Sequence, residues 1–185
     1  MSVQEIDIFG IKKLAAETVS GLIPHAFLTM ANVEAVVGED KRDERKDAAR
    51  SAGRSVAGVI GWVGALSGTG ILECSPEFAC TLANLMLGTE ATTLTEDALD
   101  AVAEMTNIVF GGMKTQLEKH FGAMALSIPT IIYGTDVEMR TSGELITVLP
   151  IEIGDQLLRV KLYMNSLEEK RGALGQFWTI SCAGR

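Results

Sequence analysis

A carboxylate and a carboxamide stand one helical turn apart in a segment whose apolar spacing is typical of a long helix. Glu104 and Asn107 are three residues apart, with Asp100 before them and Gly111 after them. Because a helix turns about 100° per residue, these four residues share one stripe of its surface. The carboxamide of Asn107 offers a donor and an acceptor, which suits it to orient a water molecule. The carboxylate of Glu104 is suited to pair with a lysine on a bound partner.

The same stripe also has a simpler interpretation. Single Glu and Asn residues are common on exposed helix surfaces, so their spacing alone does not establish a site. Asn is nevertheless unfavourable inside a helix, because its side chain competes for backbone hydrogen bonds. Each glycine inside a helix costs ~1 kcal/mol relative to alanine. Gly111 and Gly112 therefore indicate either close approach of a partner or close packing on a neighbouring helix.

The helix that carries this stripe is predicted to run from about Thr95 to His120. Thr95 is a suitable N-cap, acidic residues follow it directly, and Lys119 and His120 lie in the predicted last turn. The apolar spacing predicts that another stripe of the same helix packs into the core. Its members are Leu99, Val102, Thr106, Phe110, Met113, Leu117 and Phe121.

Segments before this helix predict further helices and one strand pair. Residues 5–37 have helical spacing, and Pro24 is predicted to begin a second helix there, in the first turn. Residues 55–75 are rich in glycine and β-branched residues, which predicts two strands joined by a turn. Pro76 then begins a short helix that Gly88 ends as a C-cap.

Segments after the long helix predict strands joined by short polar connections, which is typical of an antiparallel meander. Helices that come first and strands that come late indicate an α+β fold, with a mainly antiparallel sheet packed against two long helices. The predicted extended runs are residues 127–133, 137–139, 145–151 and 156–164.

The spacing of Asp100, Glu104, Asn107 and Gly111 resembles the D/S-x3-E-x2-N-x3-G signature of the CheC/CheX/FliY chemotaxis phosphatases. The glycine-rich strand pair, the short helix and the proline-containing strand LSIPTIIYG around it are most similar to the CheX branch. The resemblance covers roughly residues 24–164 and implies a CheC-like fold. It also implies a phosphatase that acts on the phospho-aspartate of a CheY-like response-regulator receiver domain.

The resemblance implies a role for each residue of the stripe. Asn107 would orient the attacking water, Glu104 would pair with the receiver's lysine, and Asp100 and Gly111 would contact the receiver. The Mg²⁺ of that reaction would belong to the receiver, so the chain would need no cofactor or metal of its own, and a homodimer is implied. The alternative is a non-catalytic binding module of the same fold that docks a receiver or a flagellar motor component. Such a module would not need the amide of Asn107.

One stretch departs from the pattern of CheC-type chains, which carry two copies of the motif. The equivalent stretch around Glu77, Thr81 and Asn84 has Thr81 where a glutamate is expected. The resemblance therefore implies one active copy, as in CheX.

The chain is predicted to divide into three parts. Residues 1–23 are an N-terminal helical extension, residues 24–166 form the phosphatase domain, and residues 167–185 are a C-terminal tail. The domain includes a charged loop at residues 39–54, interpreted as a solvated linker rather than a docking arm because it mixes both signs of charge.

Composition excludes some classes of partner. The chain of 185 residues has 24 Asp and Glu against 16 Lys and Arg, a formal net charge of -8, which argues against nucleic acid. No apolar run reaches the ~18 residues of a membrane span, and the N-terminus lacks the pattern of a signal peptide. Three cysteines without a CxxC pair favour a reducing compartment and structural thiols. A cytoplasmic protein is therefore predicted.

Overall fold

The computed structural model describes residues 8–41, 53–165 and 179–182, and this part of the chain forms three helices and nine strands. The helices are α1 (Ile8–Ala31), α2 (Pro76–Leu87) and α3 (Glu96–Phe121). The strands are β1 (Val36–Val37), β2 (Arg54–Gly64), β3 (Gly68–Cys74), β4 (Met124–Leu126), β5 (Thr130–Thr135), β6 (Val137–Arg140), β7 (Glu144–Ile153), β8 (Gln156–Met164) and β9 (Thr179–Cys182). None of the described helices is long and apolar enough to cross a membrane.

Seven strands form one sheet in the order β1-β7-β8-β3-β2-β4, and β5 also pairs with β2. All of these pairings are antiparallel. The three helices cover one face of the sheet and build the main core with it. The predicted α+β fold with two long helices, α1 and α3, is confirmed.

The glycine-rich stretch forms the predicted strand pair, β2 and β3, and its glycines let α3 lie directly on the sheet. A Cβ atom at Gly58 would overlap the hydroxyl of Thr106, and one at Gly70 would overlap the ring of Phe110. The ring of Phe110 stacks on Trp62 of β2, with centroids 6.4 Å apart. The position of α3, and of the stripe that it carries, is therefore fixed by close contact with this strand pair.

The prediction that Pro24 begins a second helix is wrong, because α1 runs without interruption through Pro24. A proline inside a helix removes one backbone hydrogen bond. Val19, Ile23 and Phe27 are fully buried at intervals of one turn on both sides of it, and burial of these side chains offsets the loss. The division of the chain at residues 23 and 24 stays a prediction, although α1 runs across it.

Residues 5–37 are not helical throughout. Asn32 adopts a left-handed φ of 53° just after α1, and the chain then pairs with β7 through β1. This edge pairing continues past β1, where Gly38 and Lys41 donate backbone hydrogen bonds to carbonyl groups of β7. The interpretation of the charged loop as a linker falls mostly on residues 42–52, outside the described residues.

The predicted meander is wrong for two of its strands. Among the four strands of the predicted meander, only β7 and β8 pair as consecutive neighbours within the described residues. Strand β5 pairs with β2, and β6 pairs with β9, which lies in the segment predicted as a tail. The chain turns between β5 and β6 at Asp136, whose φ of 52° is left-handed and whose carboxylate accepts a hydrogen bond from Gly53 N–H at 3.2 Å. Long-range partners of this kind are not encoded in the local polar connections that suggested a meander.

Candidate active site

The helix α3 has the N-cap and the charged terminal turns that the sequence predicts. The side chain of Thr95 accepts a hydrogen bond from Ala98 N–H, and acidic and basic residues occupy the first and last turns. Most of the predicted core stripe is buried, but Leu99 and Phe121 are only partly buried. The buried face is also wider than predicted, because α3 packs on α1 and α2 as well as on the sheet. It additionally includes Ala98, Ala101, Met105 and Val109.

A groove of about 670 Å³ runs beside the exposed face of α3, and Asp100, Glu104 and Asn107 line it. Its other walls are the C-terminal end of α2 and the loop at residues 127–129 between β4 and β5. The structure thus brings three of the four predicted site residues to one groove. Gly111, the fourth, lies one turn further along α3 and does not line it.

The three polar side chains that α3 contributes to the groove make no contact with polar groups in the described part of the chain. Asp100, Glu104 and Asn107 are exposed, and none of them makes a side-chain hydrogen bond or ion pair within the described part of the chain. An exposed carboxylate and carboxamide on a rigid helix can therefore meet groups of another molecule without first breaking internal contacts.

Asn84, the asparagine of the second motif-like stretch, makes hydrogen bonds within the chain. Its Nδ2 donates to the carbonyl of Ala91 at 3.1 Å, while its Oδ1 accepts from Thr89 Oγ1 and from Ala91 N–H, both at 2.7 Å. Thr81, where a glutamate would stand, donates its hydroxyl to the carbonyl of Glu77. The amide of Asn84 thus holds the loop between α2 and α3 and is not free to orient a water molecule.

Replacing Asn84 by alanine is expected to lower the free energy of unfolding by ~1–3 kcal/mol, because the partly buried backbone groups of Ala91 lose their partners. Urea denaturation would measure the change. Asn84→Asp keeps the two acceptor contacts and loses one donor, so its stability should fall between those of the wild type and the alanine variant. An alanine variant as stable as the wild type would contradict this role.

The two interpretations of the glycine pair apply to different residues. A Cβ atom at Gly112 would lie 3.3 Å from the side chain of Leu22, so close packing of α3 on α1 accounts for this glycine. A Cβ atom at Gly111 would meet nothing within 4 Å among the described residues. Packing within the chain therefore does not account for Gly111.

The described cysteine side chains, Cys74 and Cys80, are free thiols and buried. Burial raises the pKa of the Cys74 thiol, and the nearby carboxylate of Glu73 raises it further. Burial also raises the pKa of the Cys80 thiol, with a smaller contribution from Glu77. A buried protonated thiol is a poor nucleophile. Neither cysteine lines the groove.

The fold is similar to that of solved chemotaxis proteins. The crystal structure of the chemotaxis protein CheX from Vibrio vulnificus has a TM-score of 0.69 at 22% identity, covering 82% of this chain and 96% of that one. The crystal structure of the CheX–CheY–BeF3–Mg²⁺ complex from Borrelia burgdorferi has a TM-score of 0.61 at 22% identity, covering 88% of this chain and 100% of that one. These likenesses confirm the CheC-like fold.

Residues 56–152, just over half of the chain, match the family described as chemotaxis phosphatase CheX. This chain belongs to the CheX family. The CheY-P phosphatase CheX of Thermotoga maritima is 34% identical over 101 residues, which are 54% of this chain and 64% of that relative. The chain thus matches somewhat less than two thirds of the relative's length. Residues 56–152, which match the family, include α2, α3 and the groove-lining loop.

Sequence reasoning found the polar pair but missed the walls of the groove. The loop at residues 127–129 was predicted only as the start of a strand, and the end of α2 only as a helix terminus. The signal that could have identified the loop is the isoleucine before Pro129, an apolar residue at a position where the chain leaves a strand.

Proposed function

We propose that this protein is a phosphatase that hydrolyses the phospho-aspartate of a CheY-like response-regulator receiver domain. The observation that carries the proposal is that Glu104 and Asn107 line one groove of a CheX-family chain, where both side chains are exposed and make no internal polar contact within the described residues. The Thermotoga relative that matches part of this chain is named a CheY-P phosphatase.

In this mechanism, Asn107 orients the attacking water. Its amide can accept a hydrogen bond from the water while it donates another to a phosphoryl oxygen. The water oxygen then forms a bond to phosphorus while the bond between phosphorus and the aspartyl oxygen opposite it breaks. The aspartate leaves as a carboxylate, and the protons of the water stay on the inorganic phosphate that is released. Catalysis consists of positioning and electrostatic stabilisation, and no covalent intermediate forms on this chain.

Glu104 anchors the complex by pairing with the receiver's lysine. A carboxylate–ammonium contact is strongest where water is excluded, which a groove covered by a partner provides. Asp100 lies one turn before Glu104 and lines the same groove, which supports a contact between Asp100 and the receiver. The open space at Gly111 would allow the receiver's backbone to approach α3 closely.

Mg²⁺ in this mechanism is supplied by the receiver. The Borrelia structure named above contains Mg²⁺ and BeF3 together with CheX and CheY. Within the described residues, no group of three or more His, Cys, Asp or Glu could hold a metal ion. We further propose a cytoplasmic homodimer, as the resemblance to CheX implies.

The test of the proposal is the lifetime of a phosphorylated receiver from the same organism, measured with and without this protein. The receiver is phosphorylated on its aspartate by a small phosphodonor, and the loss of its phosphoryl group is followed over time. A marked acceleration supports the phosphatase. Binding without acceleration, for every receiver encoded beside the gene, would instead support the non-catalytic binding module.

Replacing Glu104 by alanine is expected to raise the receiver concentration needed for half-maximal rate about tenfold, the effect of losing one charge-assisted contact. Steady-state kinetics at varied concentrations of phosphorylated receiver would measure it. Glu96→Ala is the matched control, because Glu96 is exposed on the same helix but lies outside the groove. Equal effects of the two substitutions would remove Glu104 from the proposed contact.

A further inference from the structure

Ile128 is the most exposed large apolar side chain of the described residues. It is 88% exposed, on the loop between β4 and β5, and it lines the groove that holds Glu104 and Asn107. An isoleucine in water forgoes the favourable free energy that burial of its side chain would give. Single exposed apolar residues are common, so exposure alone does not identify a binding surface. The position of Ile128 and the rigidity of its backbone are the evidence for one.

The backbone around Ile128 is held in place. The hydroxyl of Ser127 accepts a hydrogen bond from Gly61 N–H and donates one to the carbonyl of Ile128, both at 3.0 Å. The N–H of Ser127 also donates to the carbonyl of Gly61 at 2.9 Å. Pro129 restricts the residue before it to extended conformations. The loop therefore holds Ile128 on a fixed backbone. Binding of a partner to Ile128 would cost little conformational entropy of the loop.

A second exposed apolar residue lines the same groove. Leu87, at the C-terminal end of α2, is 55% exposed. The Gly88 cap ends α2 directly after it, with a left-handed φ of 69° and its N–H bonded to Asn84. Ile128 and Leu87 form what we call the apolar rim of the groove, and the polar side chains of α3 lie in the groove with them.

We propose that the apolar rim binds an apolar surface of the receiver next to its phosphorylation site, so that Ile128 and Leu87 determine which receivers are accepted. This inference rests on the proposed function. The receiver is the expected partner of the rim, because the rim and the polar pair line one continuous groove. A receiver that reaches Glu104 and Asn107 must also contact Ile128 and Leu87. A second copy of this chain seated there would block the polar pair.

The rim also serves the polar contact. Apolar side chains around a charged pair exclude water from it and leave most of the binding energy in a few central contacts. Water exclusion strengthens the contact between Glu104 and a lysine, because the attraction between charges rises as the local dielectric constant falls. The rim and the polar pair should therefore act on different kinetic constants, the rim on binding and Asn107 on the chemical step.

The experiment compares the wild type with Ile128→Asp and Ile128→Val in steady-state dephosphorylation of a phosphorylated receiver. Ile128→Asp is expected to raise KM about 10- to 100-fold, the range that burial of one isoleucine implies, and to change kcat less than about threefold. Ile128→Val should remain close to the wild type. Phe9→Asp is the matched control, because Phe9 is 72% exposed but lies on α1 outside the groove.

Three results would overturn the inference. The first is an unchanged KM in Ile128→Asp. The second is a lower kcat at unchanged KM, which would make the loop a support for the catalytic pair. The third is loss of a dimer in light scattering without a change in KM, which would assign the rim to a second copy.

A binding measurement separates this inference from the proposed function. The dissociation constant for a receiver activated with beryllofluoride is measured for the wild type and for Ile128→Asp. If the wild type binds but does not accelerate phosphoryl loss, the phosphatase proposal fails, and weaker binding by Ile128→Asp still supports the rim. Equal binding by both proteins, or no binding by either, overturns the rim.

Discussion

Replacing Asn107 by alanine is expected to slow phosphoryl loss from the receiver by about 10²–10³-fold, the usual effect of removing one positioned polar group from an active site. The side chain is exposed in the groove and makes no internal contact within the described residues, so its removal should leave the fold intact. The effect should fall on kcat, because the amide acts on the water and not on the receiver's lysine. Steady-state kinetics with varied receiver would measure it.

Gln116→Ala is the matched control for this prediction. Gln116 is an exposed carboxamide on the same helix, it lies outside the groove, and its Oε1 accepts from Lys119 Nζ at 2.7 Å. The control removes the same chemical group from α3 and should dephosphorylate the receiver at the wild-type rate. A comparable loss of rate in both variants would point to a general effect on α3.

Replacing Lys161 by methionine is expected to lower the free energy of unfolding by about 3–5 kcal/mol, because it leaves an unpaired buried carboxylate. Lys161 is 1% exposed, and its Nζ lies 2.5 Å from Oε2 of Glu73, whose side chain is 6% exposed. The pair lies on adjacent strands, β8 and β3, on the face of the sheet that carries Ile71 and Tyr163, opposite the helices. Chemical denaturation monitored by circular dichroism would measure the change.

The double variant Glu73→Leu/Lys161→Met tests the cause of this loss. Replacing a whole buried ion pair by apolar residues is often neutral, whereas breaking it is costly. The double variant should therefore regain most of the stability that the single variant loses. A double variant that is less stable than Lys161→Met would contradict the unpaired charge as the cause. Both substitutions lie outside the groove, so dephosphorylation by the folded protein should be unchanged.

The long helix could be predicted closely from sequence because its signals are local. The cap at Thr95, the charged first and last turns and the apolar spacing all lie within the segment itself. The glycine-rich strand pair could also be predicted from sequence, since its composition disfavours a helix. The stripe that holds Glu104 and Asn107 followed from helical geometry alone.

Other features depend on contacts between distant parts of the chain. The continuity of α1 through Pro24 rests on burial against other elements, which overrides the local preference. The pairing of β5 with β2 and of β6 with β9 joins segments far apart in sequence, and no local pattern records it. The same holds for the site, because the sequence does not show that residues 127–129 and the end of α2 border the groove.

The most direct test of the central claim is a single-turnover measurement of phosphoryl loss at saturating concentrations of this protein. Saturation removes differences in binding, so the rate reports the chemical step alone. The wild type and Gln116→Ala should shorten the lifetime of the phosphorylated receiver equally. Asn107→Ala should bind the receiver and yet leave its lifetime close to that of the receiver alone. An Asn107→Ala variant as fast as the wild type would contradict the assignment of Asn107 to the attacking water.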